Sequence, residues 1–271
     1  NPTEGDKPTL NLVATDKTAV EGAIDDPIVF EVQLDGDTEL TTTAKVTLNL
    51  GQIEPEDIQS ISFTDGDGTV KSITVAEAQA GIDVTIPATG GVTPTFTIVP
   101  LDDAIYEKSE AFSMTLSDVE GAKQGALEAT ATILDEDQAD NDDNPENPDD
   151  PTDPTDGDKP VVKIEATVAE AVEGEDTALE YVVSQNNLSE LDSTVDVNFA
   201  DSNEIDATDI IKVEYTDADG NPVVLETSEE IADFFANGVT IKIPAGSKEA
   251  PAIKLTPAND NVYEKSEDAI L

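Results

Sequence analysis

Apolar and polar residues alternate with period two along much of the chain. Leu10-Asn11-Leu12-Val13-Ala14, Ile28-Val29-Phe30-Glu31-Val32-Gln33-Leu34 and Ala44-Lys45-Val46-Thr47-Leu48-Asn49-Leu50 each carry this alternation. Thr95-Phe96-Thr97-Ile98-Val99, Phe112-Ser113-Met114-Thr115-Leu116 and Ala129-Thr130-Ala131-Thr132-Ile133-Leu134 follow it too. Successive side chains of a strand point to opposite faces, so these segments predict half-buried strands. Turn residues separate them at short intervals, as in an antiparallel β-sandwich. Two short helices break the alternation. Thr74 with Glu77, and Thr227 with Glu230, have the spacing of a capping box, and Gly81 and Gly238 are placed to end the helices.

The chain repeats itself. Gly5-Asp6-Lys7-Pro8 returns as Gly157-Asp158-Lys159-Pro160, and Val20-Glu21-Gly22 as Val172-Glu173-Gly174, both at an offset of 152. Thr64-Asp65-Gly66-Asp67-Gly68 returns as Thr216-Asp217-Ala218-Asp219-Gly220 at the same offset. The offset then becomes 157: Ile86-Pro87-Ala88 matches Ile243-Pro244-Ala245, and Tyr106-Glu107-Lys108-Ser109-Glu110 returns unchanged as Tyr263-Glu264-Lys265-Ser266-Glu267. Self-similarity at a fixed offset is the mark of repeated domains. Two copies are expected, 1–137 and 158–271, with a net five-residue difference near positions 70 to 86. Leu271 aligns with Met114, so the second copy is expected to be truncated, without its last hairpin. Ile231, Phe234 and Phe235 are expected to face the sheet in the second copy.

Composition narrows the chemistry. The 271 residues carry 61 Asp and Glu against 13 Lys and Arg, a net charge of −48, with no Cys, His or Trp. No His-based triad, thiol nucleophile, disulfide or ordinary zinc or copper site can be built from such a chain. The charge repels nucleic-acid phosphates and anionic lipid. No apolar run approaches the roughly 20 residues of a membrane-spanning helix. Neither nucleic acid nor membrane insertion is expected. Asn1 is not an initiator Met and opens no signal peptide, so the sequence reads as an internal piece of a longer protein. Residues 135–158 hold 12 acidic residues, no basic ones and recurrent Pro, and residues 138–157 are expected to be an extended linker between the copies.

The candidate chemistry lies in end-loop carboxylates. Asp103, Glu107 and Glu110 precede a strand, Asp135-Glu136-Asp137 closes the first copy, and Glu21 is expected to start the second strand with a Gly behind it. The second copy offers Glu173, Asp260, Glu264 and Glu267. Loops that alternate in sequence converge at one end of a sandwich, and several carboxylates gathered there repel unless a cation intervenes. Calcium suits them, since it takes six to eight oxygens in flexible arrangements. Asp65-Gly66-Asp67-Gly68 and its counterpart resemble the start of an EF-hand loop, but the closing Glu is replaced by Ala76 or Ser228, and both are expected to be hairpin turns. Paired carboxylates can hydrolyse glycosides. With 4% aromatic residues and no Trp on which a sugar could stack, no enzyme is expected.

Asp103-Ala104-Ile105-Tyr106-Glu107-Lys108-Ser109-Glu110-Ala111-Phe112, then Leu116-Ser117 and Ala131-Thr132-Ile133-Leu134-Asp135-Glu136-Asp137, resembles the Calx-β signature, as does Val20-Glu21-Gly22. The resemblance implies tandem Ig-like, Calx-β-like sandwiches whose calcium ligands would be Glu21, Asp103, Glu107, Glu110, Asp135 and Asp137, and Glu173, Asp260, Glu264 and Glu267 in the second copy. Asp57 and Asp209 stand where that family has an Asp after its third strand. The inserted helix and the Val/Ile-Thr-Ile-Pro-Ala segment make the chain similar to the Ig-like extender repeats of large bacterial RTX adhesins exported by type I secretion. That similarity implies an extracellular, calcium-rigidified stalk at a bacterial cell surface, used in attachment or biofilm formation, with neighbouring repeats as partners. Two other readings follow from the same residues. One is a module that binds a glycan or protein, for which Phe234-Phe235 is the candidate contact. The other is an intracellular Calx-β calcium sensor.

Overall fold

The computed structural model describes residues 6–23, 25–89, 91–135, 159–175, 177–200, 204–259 and 265–271. The expected linker at 138–157 lies outside them. The described residues fall into two compact units, one within 6–103 and 108–135, the other within 104–107 and 159–271.

In chain order the first strands are β1 (Thr9–Asp16), β2 (Thr18–Val20), β3 (Ile28–Asp35), β4 (Thr42–Asn49), β5 (Ile58–Thr64), β6 (Val70–Ile73), β7 (Ile82–Ile86) and β8 (Thr95–Pro100), then β9 (Ile105–Tyr106), β10 (Glu110–Glu120), β11 (Lys123–Gln124) and β12 (Glu128–Leu134). Helix α1 (Val75–Ala80) lies between β6 and β7. The first unit is a sandwich of two sheets, ordered β11-β1-β3-β8-β5-β6 and β2-β12-β10-β4-β7. The alternation sets which face turns inward. Leu10, Leu12, Phe30, Val32, Ile61, Phe63, Phe96 and Ile98 of the first sheet share one core with Val46, Leu48, Phe112, Met114, Leu116 and Ile133 of the second. Across the two sheets the Phe30 and Phe112 rings meet edge to face at 5.8 Å. Within the first sheet, Phe63 and Phe96 are register partners and stack at 4.7 Å.

The second unit follows with β13 (Val162–Val168), β14 (Leu179–Gln185), β15 (Leu188–Ser189), β16 (Ser193–Val197), β17 (Ile210–Thr216), β18 (Pro222–Leu225), helix α2 (Ser228–Asn237), β19 (Val239–Ile243) and β20 (Ile253–Pro257). One sheet has the order β13-β14-β20-β17-β18, and β16 pairs with β19 in a separate ladder. Its core gathers Tyr181, Val183, Val213, Ile253 and Leu255 with Val197, Ile241 and Ile243. Both units are built from β-strands with one short helix each, the all-β class that the alternation predicts.

Both helices begin with the capping box that the Thr-x-x-Glu spacing predicts. The Thr74 hydroxyl accepts the Glu77 amide hydrogen, and the Glu77 carboxylate accepts from the Thr74 amide. Thr227 and Glu230 repeat the exchange. Gly81 and Gly238 end the helices at φ 95° and 65°, a region that favours Gly. Helix α1 has six residues and α2 has ten, so four of the five extra residues of the second copy lengthen this helix. The longer helix buries Ile231 and Phe234 in the core. Phe235 packs against the same core half-buried, with its ring stacked on Phe199 at 4.1 Å. Replacing the cap, Thr227→Ala, is expected to cost the second unit about 1 kcal/mol. Thermal melting of the variant checks this, and an unchanged midpoint would show that the helix is held by packing alone.

The Asp-Gly segments are hairpin turns. The Asp65 amide donates to the Thr69 carbonyl between β5 and β6, and Gly68 sits at φ 84°. The counterpart bond runs from Asp217 to Asn221, with Gly220 at φ 85°.

Candidate metal centre

Strand direction brings three connections of the first unit to one end. The β4–β5 connection supplies Glu54 and Asp57, held in a 3-10 turn, Pro55–Asp57. Pro at its first position removes an amide that would otherwise lack a partner. The Asp57 carboxylate caps the turn by accepting the Glu54 amide at 2.6 Å. The connection after β8 is tied to the same place, since the Leu101 amide donates to the Asp57 carbonyl at 2.7 Å. The entry to β10 is tied as well. The Gln52 amide donates to the Ala111 carbonyl, and the Ala111 amide donates to the Gln52 side chain. Contacts between residues nearly 60 positions apart in sequence therefore set where these loops meet.

Glu54, Asp57 and Glu110 place carboxylate oxygens within 4.8 Å of one another. Asp57 and Glu110 are half-buried, and Glu54 is exposed. Two oxygens bound at roughly 2.4 Å to one calcium ion are at most about 5 Å apart, so the spacing fits a shared cation. Burial pushes the Asp57 carboxyl above its ordinary value, and the charges of Glu54 and Asp103 push it further, against the lowering effect of its hydrogen bonds with the Glu54 amide and the Glu110 side chain. Two such charges at the outer limit of 4.8 Å repel by about 1 kcal/mol in water and ~3 kcal/mol at the partly screened dielectric of a protein surface. The donors are hard, anionic oxygens, the chemistry that calcium takes.

The other expected residues fall as follows. Glu110 belongs to the group. Asp103 is exposed and acts on Asp57 through its charge. Glu21 and Asp135 lie side by side where the β2–β12 ladder ends, because Val20 pairs with Leu134 and the Glu21 amide donates to the Leu134 carbonyl. They are 5% and 2% exposed, rare depths for carboxylates. Asp135 is two residues beyond Ile133, the register partner of Glu110, so its ladder position is at the same end of the sheet as Glu110. Glu107 is 8% exposed. In the second unit Glu173 and Glu267 are exposed. Asp137, Asp260 and Glu264 lie outside the described residues.

Glu54 was not among the expected ligands. Its signal was local: Glu54-Pro55-Glu56-Asp57 spaces two acids three apart around a Pro, the pattern of a capped turn. Asp206 and Asp209 repeat the turn in the second unit, where the Asp206 amide donates to the Asp209 carboxylate at 2.6 Å. Among the described residues, the acidic group meeting the 4.8 Å spacing is the one in the first unit.

No protein family and no curated protein matches the sequence. Several solved structures are similar. The apo-form Calx CBD1 domain is 18% identical, over 48% of this chain and 97% of that one, with a TM-score of 0.29. The calcium-binding domain CBD12 of CALX1.1 is 14% identical over 86% and 74%, with a TM-score of 0.33. The collagen-binding subdomain ACE19 of an Enterococcus faecalis surface protein is 10% identical over 46% and 95%, with a TM-score of 0.23. The β-sandwich assignment rests on the strand ladders and not on these likenesses.

Proposed function

We propose that the chain is a pair of calcium-binding β-sandwich repeats that act as a stiffened extender of an extracellular adhesin at a bacterial cell surface. The observation that carries the reading is the meeting of Glu54, Asp57 and Glu110 at the loop end of the first unit. Ionised together, these side chains push the loop end apart. A divalent cation bound by them joins the β4–β5 connection to the entry of β10. Buried Glu21 and Asp135 add two carboxylates to the same end of the sheet. The repeat, the acidic surface and the absence of Cys and His support an extender, since they leave little chemistry beyond spacing and cation binding. Phe234 is 3% exposed and Phe235 stacks on Phe199, so the aromatic pair serves the core and not a glycan contact.

Extension is tested by spin labels on the otherwise Cys-free chain at Lys71→Cys and Lys248→Cys, one exposed position in each unit. Calcium at millimolar concentration is expected to narrow the distribution of distances between the labels. An equally broad distribution in calcium and in chelator would rule out a stiffened stalk.

A further inference from the structure

We infer that the second unit holds a primary ammonium group, from a lysine side chain or a free alkylamine, in a groove on the outer face of the β16–β19 ladder. Asp196, Asn198, Asn237, Gly238, Val239 and Thr240 line this groove, which has a volume of about 270 Å³. All six lie on β16, on β19 or at the end of α2, so the groove is contained in one unit. β7, the counterpart of β19, is the outermost strand of its five-stranded sheet, so the groove borders an edge that the fold itself leaves free.

The first unit shows what such a place accepts. Thr42 opposite Ile86 matches Ser193 opposite Ile243, which makes Asp196 the counterpart of Lys45 and Thr240 the counterpart of Asp83. Gly81 and Gly238 end the two helices at the same point of the ladder. Lys45 lies across Gly81: a Cβ built there would stand 2.8 Å from its Cδ and 3.0 Å from its Cγ. Its ammonium reaches Asp83 at 3.7 Å. In the second unit the lysine stem has no counterpart. Asn198 stands against the glycine instead, its Oδ1 2.3 Å from where a Cβ of Gly238 would be. An acid, Asp196, takes the position from which the first unit supplies its own cation. β10 lies beside β4 in the first unit, yet Lys45 and Asp83 keep 37% and 87% of their side-chain surface exposed. A strand on that side of the ladder therefore leaves the place open.

The side chains of the groove offer acceptors. The Thr240 hydroxyl donates to one oxygen of Asp196, and the other oxygen faces no donor among the described residues. Asn237 Nδ2 donates to Asp233 Oδ1 at 2.6 Å, which uses a donor of the carboxamide and leaves its oxygen to accept. Asn198 supplies a second carboxamide oxygen. An ammonium group carries three N–H donors and no acceptor, so it matches this set. A phosphate or sulfate would meet the Asp196 carboxylate. One carboxylate does not make a calcium site, since calcium takes six to eight oxygens. No aromatic ring lines the groove for a sugar to stack on.

The test titrates the full chain in chelator at constant ionic strength, so that the calcium centre of the first unit plays no part, and follows amide chemical shifts. The probes are butylammonium chloride and an acetylated Gly-Lys-Gly amide peptide. At least one is expected to shift residues 196–198 and 237–240 saturably while the counterparts 45–47 and 80–83 stay unmoved. The tighter probe assigns the source, a free amine or the lysine of a partner protein. Asp196→Asn keeps the shape of the side chain and an oxygen to accept from Thr240. It should weaken binding about tenfold, the loss of roughly one charge-assisted hydrogen bond. The proposal is overturned if neither probe moves these residues, or if tetramethylammonium, which has no N–H, moves them equally. It is overturned as well if the first-unit counterparts shift as much, or if Asp196→Asn binds as tightly as the natural chain.

Discussion

Asp57→Asn is expected to remove most of the calcium-dependent stabilisation of the first unit while leaving its calcium-free stability equal or higher. The two signs come from one carboxyl. In the folded chain it titrates above its ordinary value of 3.8, first because it is partly buried and next because Glu54 and Asp103 face it with like charge. A carboxyl raised in this way holds more protons when folded than when unfolded. Its contribution to stability is complete below the ordinary value and is lost as pH rises through the folded one. At neutral pH without a cation, the ionised group works against the fold. Asn removes that charge and keeps a side-chain oxygen to accept the Glu54 amide. With calcium the balance reverses, because binding at 100 times Kd stabilises by ~2.7 kcal/mol and Asn is a poorer ligand. Melting curves at neutral pH and at about pH 4, in calcium and in chelator, check all four combinations. A variant that melts below the natural chain in chelator at neutral pH would contradict the assigned role of Asp57.

Phe96→Ala is expected to be the most damaging single truncation in the first unit, at about 3–5 kcal/mol. Phe96 is fully buried in the central strand β8 and stacks on Phe63, its partner in the ladder. The loss combines the transfer of a ring to water with a cavity that the paired strands on either side cannot close. Denaturant unfolding should show a lower midpoint. Calcium should still raise the midpoint of the variant, because Phe96 is a core residue rather than one of the clustered acids. A cost below about 1 kcal/mol would mean that the β8 core collapses around the gap.

Much of the fold is legible in the sequence because alternation, capping and turn chemistry are local. The six alternating segments are strands, and the Thr-Glu pairs cap helices. Short strands such as β2 and β11 carry no such signal, since three or two residues cannot show a period. Their partners, β12 and β1, are more than 100 positions away. The candidate site divides in the same way. Glu110 is marked by the return of Tyr-Glu-Lys-Ser-Glu in the second copy. Glu54 is one acid among 61, and only the long-range Gln52–Ala111 bonds bring it to Glu110. The lengthened α2 shows in the changed repeat offset as extra residues, but their use in burying Phe234 depends on packing.

The central claim is that a divalent cation joins Glu54, Asp57 and Glu110 at the loop end of the first unit. Calorimetric melting of the full chain in millimolar calcium, in chelator and in equal magnesium tests it most directly. The account predicts that calcium raises the midpoint of the first unit by roughly 5–10 °C, from ~2.7 kcal/mol of binding and about 2–4 °C per kcal/mol for a domain of this size. Magnesium should do much less, because it keeps its waters and tolerates few carboxylates. The same midpoint in calcium and in chelator would contradict it.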